Sequence, residues 1–280
     1  MAYRPELPHR WWTSVCVPLA LSAAVACVGA PAADQPGASR VTPKATATDA
    51  LTPQPTPAQA SVSVTPTVIA MTISPTPLSP EDRARLTAEL VRAAEAGDVD
   101  AVGAALRQGA DRDGRDARGR TPLMAATHGN QVDVVRVLLD AGSDVDLQDD
   151  RLDNPFLYAG AEGLLDILRL TIAAGADTRL TNRFGGTALI PAAERGHVDV
   201  VRELLTTTDI DVNHINNLGW TALLEAIVLS DGGPRHQAIV ELLLAHGADP
   251  ALADFDGVTP LEHARRRGFS GIAALLEAGP

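Results

Sequence analysis

The chain's stock of groups for acid–base or metal chemistry is seven histidines (His9, His128, His197, His214, His236, His246 and His263) and 35 acidic residues. Glu194 and His197 stand three apart, as two ligands on a zinc-binding helix would, but there is no His-Glu-x-x-His and no third ligand in register. Asp149-Asp150-x-x-Asp153 is an acidic turn too short for a calcium loop. No Gly-x-Ser-x-Gly, P-loop or dinucleotide fingerprint occurs. The only cysteines, Cys16 and Cys27, precede the part of the chain rich in core-forming residues, which therefore has neither thiolate chemistry nor disulfides. These residues point to no catalytic centre, no metal and no cofactor. An enzymatic or metal-dependent activity stays as the alternative, on the scattered histidines and acids alone.

The elements that would have to position such groups are repetitive. Gly119-Arg120-Thr121-Pro122-Leu123, Leu152-Asp153-Asn154-Pro155-Phe156, Gly185-Gly186-Thr187-Ala188-Leu189, Gly219-Trp220-Thr221-Ala222-Leu223 and Gly257-Val258-Thr259-Pro260-Leu261 share one pattern. Their third residues, 121, 154, 187, 221 and 259, are 33, 33, 34 and 38 apart. A period near 33 with a Thr-Pro-Leu start predicts stacked helical hairpins. In the unit 118–150, Thr121 reads as an N-cap and Pro122 as the first helical residue. Leu123–Ala126 make a short apolar helix and Gly129-Asn130 break it. Val132, Val134, Val135, Leu138 and Leu139 then lie on one helical face, and Ala141-Gly142 end it. No such hairpin buries its apolar face alone; stacking makes the core continuous.

Arg195-Gly196-His197-Val198-Asp199-Val200-Val201 and His246-Gly247-Ala248-Asp249-Pro250 follow the same scheme, and the series resembles the ankyrin repeat over about residues 85–280. The resemblance implies an all-α solenoid of about six helix-turn-helix repeats that binds another protein through its concave face and loop tips, without enzymatic activity. Leu90–Asp113 reads as a first repeat lacking its Thr-Pro start, followed by repeats at about 117–150, 151–183, 184–217, 218–255 and 256–280. The second full repeat departs from the pattern with Asn154-Pro155-Phe156-Leu157-Tyr158. The fourth carries extra residues within 229–237, readable either as a harmless loop or as a specificity loop.

Composition divides the chain into 1–32, 33–80 and 81–280. The first segment has a basic start (Arg4, His9, Arg10), an apolar run from Trp11 and then small residues, the pattern of a secretory signal. Cleavage could follow Ala32, or Ala24-Val25-Ala26-Cys27 could act as a lipobox with Cys27 lipidated. Either reading exports the protein to the periplasm or outer cell surface, with membrane contact only through that lipid. Residues 33–80, rich in Pro, Thr, Ala and Ser, read as a disordered tether. The net charge of −12 falls in the repeat region. That balance excludes nucleic-acid backbone binding, which needs a basic patch, and adhesion to anionic lipid. A monomer is expected.

Mapped onto the resemblance, the loop tips hold Arg118, Arg120, Asp150, Arg151, Asp153, Phe184, Leu218, Trp220 and Phe255. His128, Tyr158, Glu194, Arg195 and Glu225 fall on or near the inner helices. Aromatic residues and arginine dominate binding hot spots, so the expected partner-binding set is Arg118, Arg120, Asp150, Arg151, Asp153, Tyr158, Phe184, Arg195, Leu218, Trp220 and Phe255. The partner is another protein. Inhibition or protection of an envelope enzyme is a further reading by family-level analogy.

Overall fold

A computed structural model describes residues 78–279. The expected signal segment with Cys27, and all of the tether except residues 78–80, lie outside the described residues.

The described residues form twelve α-helices and no strand. The helices are α1 (Pro80–Ala96), α2 (Val99–Arg107), α3 (Pro122–His128), α4 (Val132–Asp140), α5 (Pro155–Glu162), α6 (Leu165–Ala173), α7 (Leu189–Glu194), α8 (Val198–Thr207), α9 (Ala222–Val228), α10 (Pro234–Ala245), α11 (Pro260–Arg267) and α12 (Ser270–Ala278). They pair into six hairpins. Each odd-numbered helix packs on the next odd-numbered one and each even-numbered helix on the next even-numbered one, giving two helical layers with one apolar core between them. Small residues permit the close approach within the odd layer. A Cβ added at Gly160 would lie 2.8 Å from the Cβ of Ala188.

The caps follow from sequence. Thr121, Asn154, Thr221 and Thr259 each accept a hydrogen bond on the side-chain oxygen from the backbone N–H three residues on, and Thr259 completes a capping box with Glu262. The third full repeat breaks this rule. Its Thr187 hydroxyl makes no hydrogen bond, and α7 starts only at Leu189. Pro191 explains the difference. In the sister repeats the fourth residue after the cap donates its N–H to the cap carbonyl, as Ala125 does to Thr121 and Glu225 to Thr221. Proline has no N–H to give and its ring crowds that carbonyl, so the first turn tightens to an Ile190-to-Thr187 bond and the helix begins late.

The first repeat, without a Thr-Pro start, uses Ser79 and Pro80 instead and extends α1 to 17 residues. The extra residues of the fourth repeat fall in the 229–233 turn and in a longer α10. This turn is tied on both sides. Arg267 donates to the carbonyls of Val228 and Ser230, Gln237 donates to that of Gly232, and His236 bridges Asp231 and the Glu194 carbonyl. Gln131 and His197 reach the matching carbonyls, Glu95 and Ala161, of their own preceding repeats. The insertion thus returns to the common register through a histidine.

Candidate functional site

Between successive hairpins the chain projects five fingers, and a single side chain builds each one. Asp116, Asp149, Asn182, Asn216 and Asp254 stand five residues before the cap position. Each uses Oδ1 to accept two backbone N–H groups, two and four residues on. Each also donates its own backbone N–H to the carbonyl of the fourth residue on, closing a tight loop. Fingers touch sideways as well: Asp150 N–H donates to the Arg118 carbonyl, and Asn217 N–H to that of Phe184.

The third residue after each of these Asp/Asn positions adopts left-handed backbone. It is Gly119, Gly185, Gly219 and Gly257 in four fingers and Leu152 in the fifth, at φ 59°. A Cβ at Gly119, Gly185 or Gly219 would lie 2.5–2.6 Å from Asp150, Asn217 or Phe255 of the next finger, so glycine lets the neighbouring side chain lie across it. Where leucine takes the place, the corresponding neighbour, Arg183, has its guanidinium 4.5 Å from the centre of its own finger's Phe184 ring. A bulky residue in this backbone region costs about 1 kcal/mol or more.

The expected tip residues divide into three groups. Arg118, Asp150, Arg151, Leu218 and Phe255 are exposed, Phe255 by 78% and Leu218 by 54%. Phe184 and Trp220 are half-buried. Arg120 and Asp153 are not at the tip at all, with exposures of 7% and 4%. Their position, next to the cap, turns the side chain inward. Arg120 donates to Asp116 Oδ2 at 2.8 Å and, through both terminal nitrogens, to Glu95 on α1 at 2.9 and 3.4 Å. That pairing holds the Glu95 carboxyl below its usual range. Burial, reinforced by Asp149, pushes Asp153 up to about 6.

The inner helices carry the rest. The rings of Tyr158 and His128 lie in contact, with centroids 4.0 Å apart and planes tilted by 33°. Arg195 donates to the Ala161 carbonyl and to Glu162 at 2.7 Å. Glu225, 5% exposed, accepts from Asn216 Nδ2 at 2.7 Å. The amide cannot turn away, because its Oδ1 already holds the finger. Burial first, then Glu194 on the neighbouring helix, pushes the Glu225 carboxyl up to about 8. His263 meets Asp254 Oδ2 at 2.7 Å in the same register. Glu194 ends α7 and His197 caps α8. Among the described residues no group of three or more His, Cys, Asp or Glu could hold a metal ion. The finger side thus carries recessed carboxyls, a Tyr–His ring contact and apolar finger tips.

Sequence reasoning passed over Leu152. Its signal was present, since leucine stands where the other four segments place glycine.

A family model described as ankyrin repeats (3 copies) matches residues 80–149 and 156–254. Escherichia coli (strain K12) ankyrin repeat protein YahD is 62% identical over 96 residues, 34% of this chain and 48% of that protein, so the match spans about half of the relative's length. Cyclin-dependent kinase 4 inhibitor B of Bos taurus is 42% identical over 98 residues, 34% of this chain and 70% of that protein. The crystal structure of an ankyrin repeat domain from Acinetobacter baumannii AYE is 53% identical, with TM-score 0.66 over 68% of this chain and 96% of that one. That of the ankyrin repeat protein EF0377 is 38% identical, with TM-score 0.67 over 69% and 98%.

Proposed function

Because the chain belongs to the ankyrin-repeat family, whose domains generally mediate protein–protein interaction and are typically non-enzymatic scaffolds, we propose that residues 81–280 bind a partner protein through the finger tips and the inner helices. The observation that carries this reading is the division of labour within each finger. One Asp or Asn side chain satisfies the finger's backbone, while the side chains of Arg118, Leu218 and Phe255 stand exposed, beside Arg151, which is exposed and paired with Asp153. Phe184, Trp220, Tyr158, Arg195 and Asp150 flank them, while Arg120 and Asp153 shape the surface from beneath.

In this proposal the protein is exported and acts in the cell envelope as a monomer. The basic, apolar and small-residue order of residues 1–32 supports export, by cleavage after Ala32 or by lipidation of Cys27. The segment 33–80 tethers the repeats away from that anchor. The test is proximity labelling in the native host, comparing the wild type with Trp220→Ala/Arg151→Ala. Enrichment of one envelope protein by the wild type, lost in the double variant, supports the reading. Equal, diffuse labelling by both would sink it.

A further inference from the structure

Of the six large apolar residues that are well exposed among the described residues, four lie on the fingers: Leu152, Ile215, Leu218 and Phe255. With the half-buried Phe184 they place at least one apolar side chain on each of fingers two to five, while the first finger offers Arg115 and Arg118 instead. The fingers stack directly, through the Asp150–Arg118 and Asn217–Phe184 bonds and through Phe255 lying across Gly219. The apolar side chains thus make a ridge across successive fingers, at the third, second, second and first residue after the finger's Asp or Asn, and the fingers themselves repeat at roughly 8–10 Å, the spacing of packed helices.

Leu152 gives this ridge its second, independent mark. Its half-exposed side chain stands on left-handed backbone that four sister fingers assign to glycine. Glycine would adopt that backbone at no steric cost and would leave the finger's hydrogen bonds, which come from Asp149, unchanged. Strain kept at a position whose apolar side chain stands half in solvent points to a gain outside the fold.

We propose that the ridge of Leu152, Phe184, Leu218 and Phe255 docks an extended, polyproline II-type segment of a partner polypeptide that carries an apolar residue at every third position and acidic residues at the end lying over the first finger. This rests on the protein-binding reading above and names the partner's chemistry. Three observations select it. A polyproline II chain repeats every three residues at ~3.1 Å each, so one of its faces presents side chains every ~9 Å, in step with the fingers. A strand added edge-on would need free backbone donors and acceptors, but the fingers spend theirs on each other at Asp150, Arg118, Asn217 and Phe184. The exposed guanidinium of Arg118 continues the line beyond Leu152 and attracts carboxylates, in a domain that is otherwise acidic.

The experiment is selection from a displayed random peptide library, long enough to span all five fingers, against the full chain. Recovered peptides are then titrated against the wild type, Leu152→Gly, Phe255→Ser and Trp220→Ala. The proposal expects apolar residues at every third position with acids to one side. It also expects about tenfold weaker binding to Leu152→Gly and to Phe255→Ser. Leu152→Gly should leave the melting temperature within a few degrees of the wild type, so that the weaker binding reports the lost side chain and not an unfolded finger. Peptides with helical apolar spacing, peptides that bind Leu152→Gly and Phe255→Ser as tightly as the wild type, or no enrichment would each overturn it. If the selected peptides respond only to Trp220→Ala, the ridge fails and the protein-binding reading stands. If nothing is enriched and the envelope labelling is also diffuse, both fail.

Discussion

Glu225 is the residue whose ionisation the fold most opposes. Its carboxyl sits at about 8 in the folded chain against an ordinary 4.5, from burial and from Glu194. The folded state therefore keeps a proton that the unfolded chain releases. The stability this group contributes is complete below about 4.5 and drains away as pH rises to about 8. Asp153 acts in the same sense, but its loss ends near 6. We predict that Glu225→Gln, which keeps an oxygen for Asn216 and cannot ionise, matches the wild type in urea denaturation at pH 4. At pH 8 it should exceed the wild type by roughly 3–5 kcal/mol. Equal stability at both pH values would mean that Glu225 is ionised at no cost, and the burial argument would fail. The sequence alone placed Glu225 on the inner helix but could not show this. The shift depends on burial and on Glu194, 31 positions away, which the stacking of repeats brings close, while the hydrogen bond from Asn216 works against it.

At the scale of the element, the helix boundaries were largely legible. Thr-Pro starts fixed α3 and α11. The late start of α7 departs from the Thr-start pattern, because the N–H that Pro191 lacks, four residues after Thr187, outweighs the threonine. Arg120 shows the other limit. A residue before the cap reads as a tip from sequence, and only the packing of the first finger against α1 reveals the fork between Asp116 and Glu95. Substituting Arg120→Met is expected to destabilise the domain by about 1–3 kcal/mol by equilibrium unfolding. Arg120→Lys should recover little, because a point charge cannot serve both carboxylates. Full recovery by lysine would show that charge alone holds the finger.

The whole molecule is a line of neighbours, so the effect of a cavity depends on its place in the line. Phe156 is fully buried in the third hairpin, with hairpins on both sides; Leu276 lies in the last one. Phe156→Ala is expected to cost about 3–5 kcal/mol and to lower helix content and Trp220 fluorescence in a single transition. Trp220 is the one tryptophan among the described residues, and it reports on the fifth hairpin. For Leu276→Ala, helicity measured by circular dichroism should begin to fall before the Trp220 signal moves, as the end hairpin frays first. Coincident curves for both variants would show a domain that unfolds as one block.

The fivefold finger has a consequence for descent. Because one carboxylate or carboxamide closes every junction in the same way, a crossover between two misaligned repeats joins parts that already fit. The offspring would carry one hairpin more or fewer, with its loops still closed. Such exchange meets resistance where a junction has become private, as between Arg120 and Glu95, at Leu152 where its sisters keep glycine, or at the 229–233 turn that Arg267 and His236 tie to its neighbours. Lineages of this chain should therefore differ in repeat number away from those places and agree at them.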